Sequence, residues 1–234
     1  MSVAVSIGNQ TWTLLAPQAL VPANGFPRAI MNRCPPSRSG NPVNSCDSLR
    51  SIDFYNTLVS QGTQGGQVVA IQQAASNAAF DTKNFSQAIA ALNQVKGYYE
   101  EVEAIAIEKR NWLLWMRGQA RKGRCCQNYG AMQTYIDETN NIIAFCRTRI
   151  DGLDTTIQTT NEANSAFYSA ETDDLQLEEY RAQVNYQISQ TNQQIAKEGF
   201  ITSQLALSEG SGKLIYVVMA LVAAFFVYRF VFRK

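Results

Sequence analysis

The sequence predicts a mainly α protein: an elongated antiparallel helical bundle or coiled coil, with an extended or short-β N-terminal head and one C-terminal transmembrane helix. Three observations predict it. All six prolines lie between Pro17 and Pro42, so the rest of the 234 residues meets no ring-imposed helix break. From Phe85 onward, apolar residues recur at three- and four-residue steps. Leu214 to Tyr228 then reads LIYVVMALVAAFFVY, without one charge.

The head covers residues 1–50. Val3, Val5 and Ile7 alternate with small or polar residues, and Gly8-Asn9 offers a turn before Thr11-Trp12-Thr13-Leu14. That alternation predicts a short β-hairpin or an extended arm. Residues 17–50 are rich in Pro, Gly, Asn and Ser, a composition that orders only when laid against a partner. Residues 51–80 follow as a linker and a short alanine-rich helix, Gln67 to Phe80. Gly62 to Gly66 (GTQGG) lacks the Lys and Ser/Thr of a phosphate loop and reads as linker.

Residues 81–209 form the long-helix body. Its first seam runs Phe85, Ala88, Leu92, Val95, Tyr99, Val102, Ala106, Lys109, Leu113 and Met116, broken only by Lys109. Asp81 or Thr82 is expected to cap this helix, since a short side-chain oxygen accepts from the free amides of the first turn. Gly118, Gly123 and Gly130 mark its end and a turn. In the second seam Ile136, Ile143, Ile150 and Ile157 recur every seven residues, with Thr139, Cys146, Leu153 and Thr160 between them, then Asn164 and Phe167. A polar break at Ser169 to Asp174 precedes a third helix, capped by Thr172 or Asp173. This helix carries Leu177, Val184, Ile188, Thr191, Ile195, Thr202 and Leu205, and Gly199 weakens it by about 1 kcal/mol relative to alanine. Short connections make a three-helix antiparallel bundle the simplest packing, with the alanine-rich helix alongside. Whether the third helix runs straight into the tail is open at this stage.

Residues 210–213 supply a Gly-Ser-Gly hinge, residues 214–232 the transmembrane helix and residues 233–234 a basic tip. A span needs about 20 apolar residues, and the count reaches Phe232 if Arg229 snorkels to the headgroups. Leu214, Phe225 and Phe226 are its apolar body, and Tyr216 and Tyr228 its interfacial aromatics. Arg229, Arg233 and Lys234 outweigh Lys213, which would place the tip in the cytoplasm. An anchor at the extreme C-terminus instead inserts after synthesis and leaves the body in the cytosol. The two arguments oppose each other.

Twenty Lys and Arg balance nineteen Asp and Glu, which disfavours nucleic acid as a partner. Histidine is absent, which rules out imidazole catalysis and disfavours metal sites, though it leaves carboxylate or lysine chemistry open. No catalytic, cofactor-binding or metal-binding residue is assigned, and the expectation is not an enzyme. The acidic run Glu100, Glu101, Glu103, Glu108 and the later Asp173, Asp174, Glu178, Glu179 read as solvated faces. Cys34 and Cys46 stand where a bridge would close a short loop of the head, while Cys125 and Cys126 are strained as an adjacent pair. Either of the latter could pair with Cys46 or Cys146, or the thiols stay free. The segment holding Trp112, Trp115, Arg117, Arg121, Lys122 and Arg124 has two readings. It contacts an anionic membrane or a partner, or its cations complement a helix dipole while its tryptophans pack in the bundle. The second is favoured.

The Pro-, Asn- and Ser-rich head from Met1 to Arg50 and the anchor Leu214–Lys234 give the chain a layout. It resembles the small membrane-anchored minor capsid proteins of large icosahedral double-stranded DNA viruses with an internal membrane. The resemblance is architectural and carries no diagnostic motif. It implies a structural virion protein tethering a protein shell to the membrane beneath, with the lipid bilayer and capsid proteins as partners; the heptads separately allow a homo-oligomer. The alternative expectation is a SNARE-like or viral entry protein acting through coiled-coil pairing.

Overall fold

A computed structural model of the chain describes residues 3–22, 25–26, 49–121, 129–169 and 174–200. The first strand, β1 (Val3–Ile7), pairs antiparallel with β2 (Gln10–Leu14) in the register Val3↔Leu14 to Ile7↔Gln10. The two-residue turn between them holds Gly8 at φ +57°, a left-handed conformation that glycine adopts without a Cβ penalty. Alternation then decides the faces: Val5, Ile7 and Leu14 are buried under the hairpin, while Ala4, Ser6 and Thr11 face outward. A 3-10 turn at Pro17–Leu20 follows, with Leu20 buried.

Five helices make the body. They are α1 (Ile52–Val59), α2 (Gln64–Phe80), α3 (Phe85–Arg121), α4 (Tyr129–Phe167) and α5 over 174–200. Helices α1 and α2 stack as one column, so the bundle has four columns, with the alanine-rich helix as a full partner of the expected three. At one end Phe80, Phe85 and Phe167 close the core, with ring centroids 5.9 and 5.7 Å apart. Midway, Phe145 of α4 meets both Tyr55 of α1 and Tyr99 of α3, each at 6.1 Å. The hairpin lies across α2 and α3. The Leu15 amide donates to Gln64 Oε1 at 3.0 Å, and Gln18 Nε2 donates to Glu101 Oε1 at 2.9 Å.

The heptad seams are where the sequence puts them. Every position of the first is buried, Leu92, Val95, Tyr99, Val102 and Leu113 among them, and so is Lys109. In the second, Ile136, Thr139, Ile143, Cys146, Leu153 and Thr160 are buried, and Ile150 and Ile157 are half-buried. In α5, Leu177, Val184, Ile188, Thr191 and Ile195 face inward, while Thr202 and Leu205 lie outside the described residues.

Four local expectations need correction. The linker expected before Gln67 holds α1 (Ile52–Val59), whose Phe54, Tyr55, Leu58 and Val59 are buried. GTQGG is not a linker throughout: Gln64 to Gly66 open α2. A Cβ on Gly65 would meet Ile195 Cγ2 at 2.7 Å, and one on Gly66 would meet the Gln61 carbonyl oxygen at 1.9 Å. Glycine is needed there for close packing. Neither Asp81 nor Thr82 caps α3. The chain takes two more turn residues, with Lys83 at φ +54°, and Asn84 Oδ1 accepts from the Gln87 amide at 3.3 Å. Gly118 and Gly130 are helical positions rather than helix stops. Gly123 lies outside the described residues, as do the caps Thr172 and Asp173.

The expected membrane span 214–232 and basic tip 233–234, with Leu214, Tyr216, Phe225, Phe226, Tyr228, Arg229, Arg233 and Lys234, also lie outside the described residues. Among those that are described, no helix is long and apolar enough to cross a membrane. Cys34, Cys46, Cys125 and Cys126 fall outside as well, while Cys146 is a free, buried thiol.

Candidate functional site

Helices α3 and α4 run antiparallel with their polar pairs descending in step. Lys96 Nζ lies 2.6 Å from Asp154 Oδ1, Arg147 Nε lies 2.6 Å from Glu103 Oε1, and Arg117 donates to Gln133 Oε1. Helix α5 returns alongside them and is fastened over its length. Arg181 pairs with Asp81 at 2.8 Å, and Ser76 Oγ donates to Asn185 Oδ1 at 3.0 Å. Gln61 Nε2 donates to Asn192 Oδ1 at 3.1 Å, and the Tyr55 hydroxyl donates to Glu198 Oε2 at 2.7 Å. From α4, Arg149 donates to the Thr191 carbonyl at 3.2 Å and to Gln194 Oε1. These pairs order α5 antiparallel to α4. Its described C-terminal end is therefore directed toward the α3–α4 junction.

Charge is separated along the chain. From Arg110 to Ile136, the stretch that holds the α3–α4 junction, the sequence has five cations (Arg110, Arg117, Arg121, Lys122, Arg124) and no acid. From Asp151 to Tyr180, the stretch that holds the α4–α5 junction, it has eight acids and no Lys or Arg. A 39-residue α4 separates the two ends by about 57 Å. Along the sequence, cations thus gather in the stretch that joins α3 to α4 and acids in the stretch that joins α4 to α5. At the α4–α5 junction Tyr168 and Leu175 are 76% and 79% exposed.

Toward the α3–α4 junction, residues 49–51 cross the α3–α4 groove. The Ser51 amide donates to Glu138 Oε2 at 2.7 Å, Arg50 Nε stands 3.5 Å from Glu138 Oε1, and Lys109 Nζ reaches the Arg50 carbonyl at 3.5 Å. Burial pushes the Lys109 ammonium down to about 8, against the pull of the Glu138 carboxylate. Beyond this polar plug is a separate apolar cluster: Trp112, Leu113, Met116, Met132, Tyr135 and Ile136, closed by Leu49. Phe26 covers it, with its ring 5.8 Å from that of Trp112.

The tryptophan–cation segment therefore divides. Trp112 is 1% exposed and belongs to this second core cluster, so its indole is turned into the bundle rather than toward a membrane or partner surface. Trp115 is half-buried against the same cluster, and Arg117 is half-buried beside Gln133. Arg121 ends α3 but its side chain is outside the description, as are Lys122 and Arg124.

A hollow of about 320 Å³ between α1, α4 and α5 is lined by Tyr55, Phe145, Arg149, Gln194, Lys197 and Glu198. Its phenol, carboxylate and guanidinium are all engaged in the bonds that hold α5. The Tyr55 hydroxyl is held well above the usual phenol range by burial and by Glu198. Among the described residues, no group of three Cys, Asp or Glu side chains is placed to hold a metal ion. Sequence reasoning missed Ser51, Glu138, Tyr55 and Glu198, whose partners are 87 to 143 residues distant. No local signal marks such pairs. No family model, curated protein or solved structure matches this chain.

Proposed function

We propose that this chain is a structural membrane tether: a minor capsid protein of a virion, anchored by residues 214–232, that links a protein shell to the membrane beneath. The observation that carries this reading is the mutual burial of the apolar faces of α3, α4 and α5, together with the run of α5 toward the α3–α4 junction. A docking factor of the SNARE kind needs a seam free to zip with partner helices. Here the apolar positions of α3, α4 and α5 are already turned toward one another.

The arrangement suits a load-bearing link. Tension on the tail loads α5 along its own axis, so the bonds from Glu198 back to Arg181 share the load. The α4–α5 junction, with Tyr168 and Leu175 exposed, is then the end offered to the protein layer.

Membrane fractionation tests the reading. The full chain stays with the membrane after alkaline carbonate washing, and a chain ended at Gly212 is released. In intact particles, the bundle resists added protease until detergent opens the membrane or shell. A full chain that is released by carbonate, or a bundle digested in intact particles, overturns the tether.

A further inference from the structure

We infer that the outward face of α5 is a self-association surface, which takes a second copy of this chain with the two α5 helices antiparallel. The inference goes beyond the tether reading and does not depend on it. Leu175, Ala182, Ser189 and Ala196 recur every seven residues along α5, and Glu179, Tyr186, Gln193 and Phe200 recur four residues after each of them. At about 100° per residue all of these fall on one stripe about 38 Å long. The stripe lies opposite Leu177, Val184, Ile188 and Ile195, which face the bundle, and each of its positions is exposed. Leu175, Tyr186 and Phe200, at 79%, 61% and 64%, are three of the five exposed large apolar side chains among the described residues. Helix α5 thus carries a second heptad seam with nothing in its own bundle to meet.

Shape and charge select the occupant. With a second α5 reversed about the point between Gln187 and Ile188, Tyr186 faces the small Ser189 of the copy and Leu175 faces its Phe200. Ala182 then faces Gln193, and Glu179 faces Ala196. A two-fold axis makes each of these contacts twice. Glu179 and Lys197 stand on the same flank of the stripe, both exposed, and neither makes an ion pair among the described residues. The reversal sets each Glu179 beside the Lys197 of the other copy. A groove of about 390 Å³ between α4 and α5, lined by Thr155, Thr159, Glu179 and Gln183, opens on that flank and leaves the lysine stem room to reach. Charge therefore fixes the sense of pairing. A parallel pair would set Glu179 against Glu179 and Tyr186 against Tyr186. An anionic lipid surface fits less well, since one lysine and one acid make no cationic rim.

The test uses the full chain in dodecyl maltoside, with association followed by analytical ultracentrifugation and contacts trapped by a zero-length carbodiimide. Eighteen helical steps hold Glu179 and Lys197 about 27 Å apart within one chain, so a cross-link between them forms only between copies. That cross-linked peptide is expected. Glu179→Lys and Lys197→Glu should each weaken association several-fold, and the double reversal should restore it. Tyr186→Arg should weaken it about tenfold, with helicity unchanged because the side chain is exposed. A chain that stays monomeric at high micromolar concentration overturns the inference. So does a dimer that lacks the Glu179–Lys197 cross-link, or one that the single reversals leave unchanged. Release of the full chain from membranes by carbonate defeats the tether instead and leaves this pairing standing.

Discussion

Lys109 places its ammonium 3.5 Å from the carbonyl oxygen of Arg50, at the single cationic position of an otherwise apolar seam. The contact joins the last residues of the head to the middle of the bundle. It also lies between the main core and the separate cluster around Trp112.

Replacing Lys109 by Met is expected to stabilise the bundle by about 1–3 kcal/mol at pH 7, because a buried ammonium is costly. The gain depends on pH in a defined direction. The folded ammonium sits at about 8 against an ordinary 10.5. Between those values the unfolded chain binds more protons, so wild-type stability climbs with pH relative to the variant. Denaturant titrations at pH 7 and pH 10.5 should show the advantage of Lys109→Met shrinking. An advantage that stays constant would mean the ammonium is not desolvated.

Two glycines separate packing from propensity. Gly66→Ala drives a Cβ into the Gln61 carbonyl and should cost about 1–3 kcal/mol through displaced backbone. Gly97 sits inside α3 with nothing within 4 Å of where its Cβ would be. Gly97→Ala should therefore stabilise by about 0.4–1 kcal/mol. Thermal unfolding of the pair decides it: midpoints moving the same way would refute the packing account of Gly66.

Tyr98 and Tyr99 bury hydroxyls that have no hydrogen-bond partner among the described residues. Burial raises both phenols above the ordinary value of 10.0, and it raises the Cys146 thiol likewise. A raised folded value contributes stability that is present below the unfolded value and is lost as pH rises beyond it. The bundle should therefore weaken above pH 10. Tyr98→Phe removes one unpaired hydroxyl and should add about 1 kcal/mol at neutral pH. It should also reduce the alkaline loss, read by phenolate absorbance alongside helicity.

Toward the α3–α4 junction, Trp112→Ala should cost about 3–5 kcal/mol by emptying the centre of the second cluster. Leu114→Ala, at an exposed position of the same helix, should stay within about 0.5 kcal/mol. Hydrogen exchange should show the Trp112 loss concentrated in residues 110–121 and 129–137, with the α2–α3 end unchanged. Equal effects from the two substitutions would contradict the burial contrast between them.

The sequence alone determined the three long helices and which of their faces turn inward, while α1 (Ile52–Val59) fell in a stretch read as linker. Helical period is local: Ile136 to Ile157 at seven-residue steps, or Phe85 to Met116 at threes and fours, specify an apolar stripe whatever it meets. The hairpin was legible for the same reason, since alternation and a Gly-Asn turn act over a few residues. Local signals misled where packing outweighs propensity. Gly65 and Gly66 read as linker because glycine is a poor helix former, yet Ile195 and Gln61 leave no room for a Cβ there. Tertiary structure alone decided that Trp112 is core while Leu114, two residues on, is surface. It also decided that α5 is pinned antiparallel to α4, directed toward the α3–α4 junction. The charges were visible from the start, but how the chain reverses was not. That is set by contacts such as Tyr55–Glu198 and Ser51–Glu138, which join residues far apart in sequence and leave no mark along it.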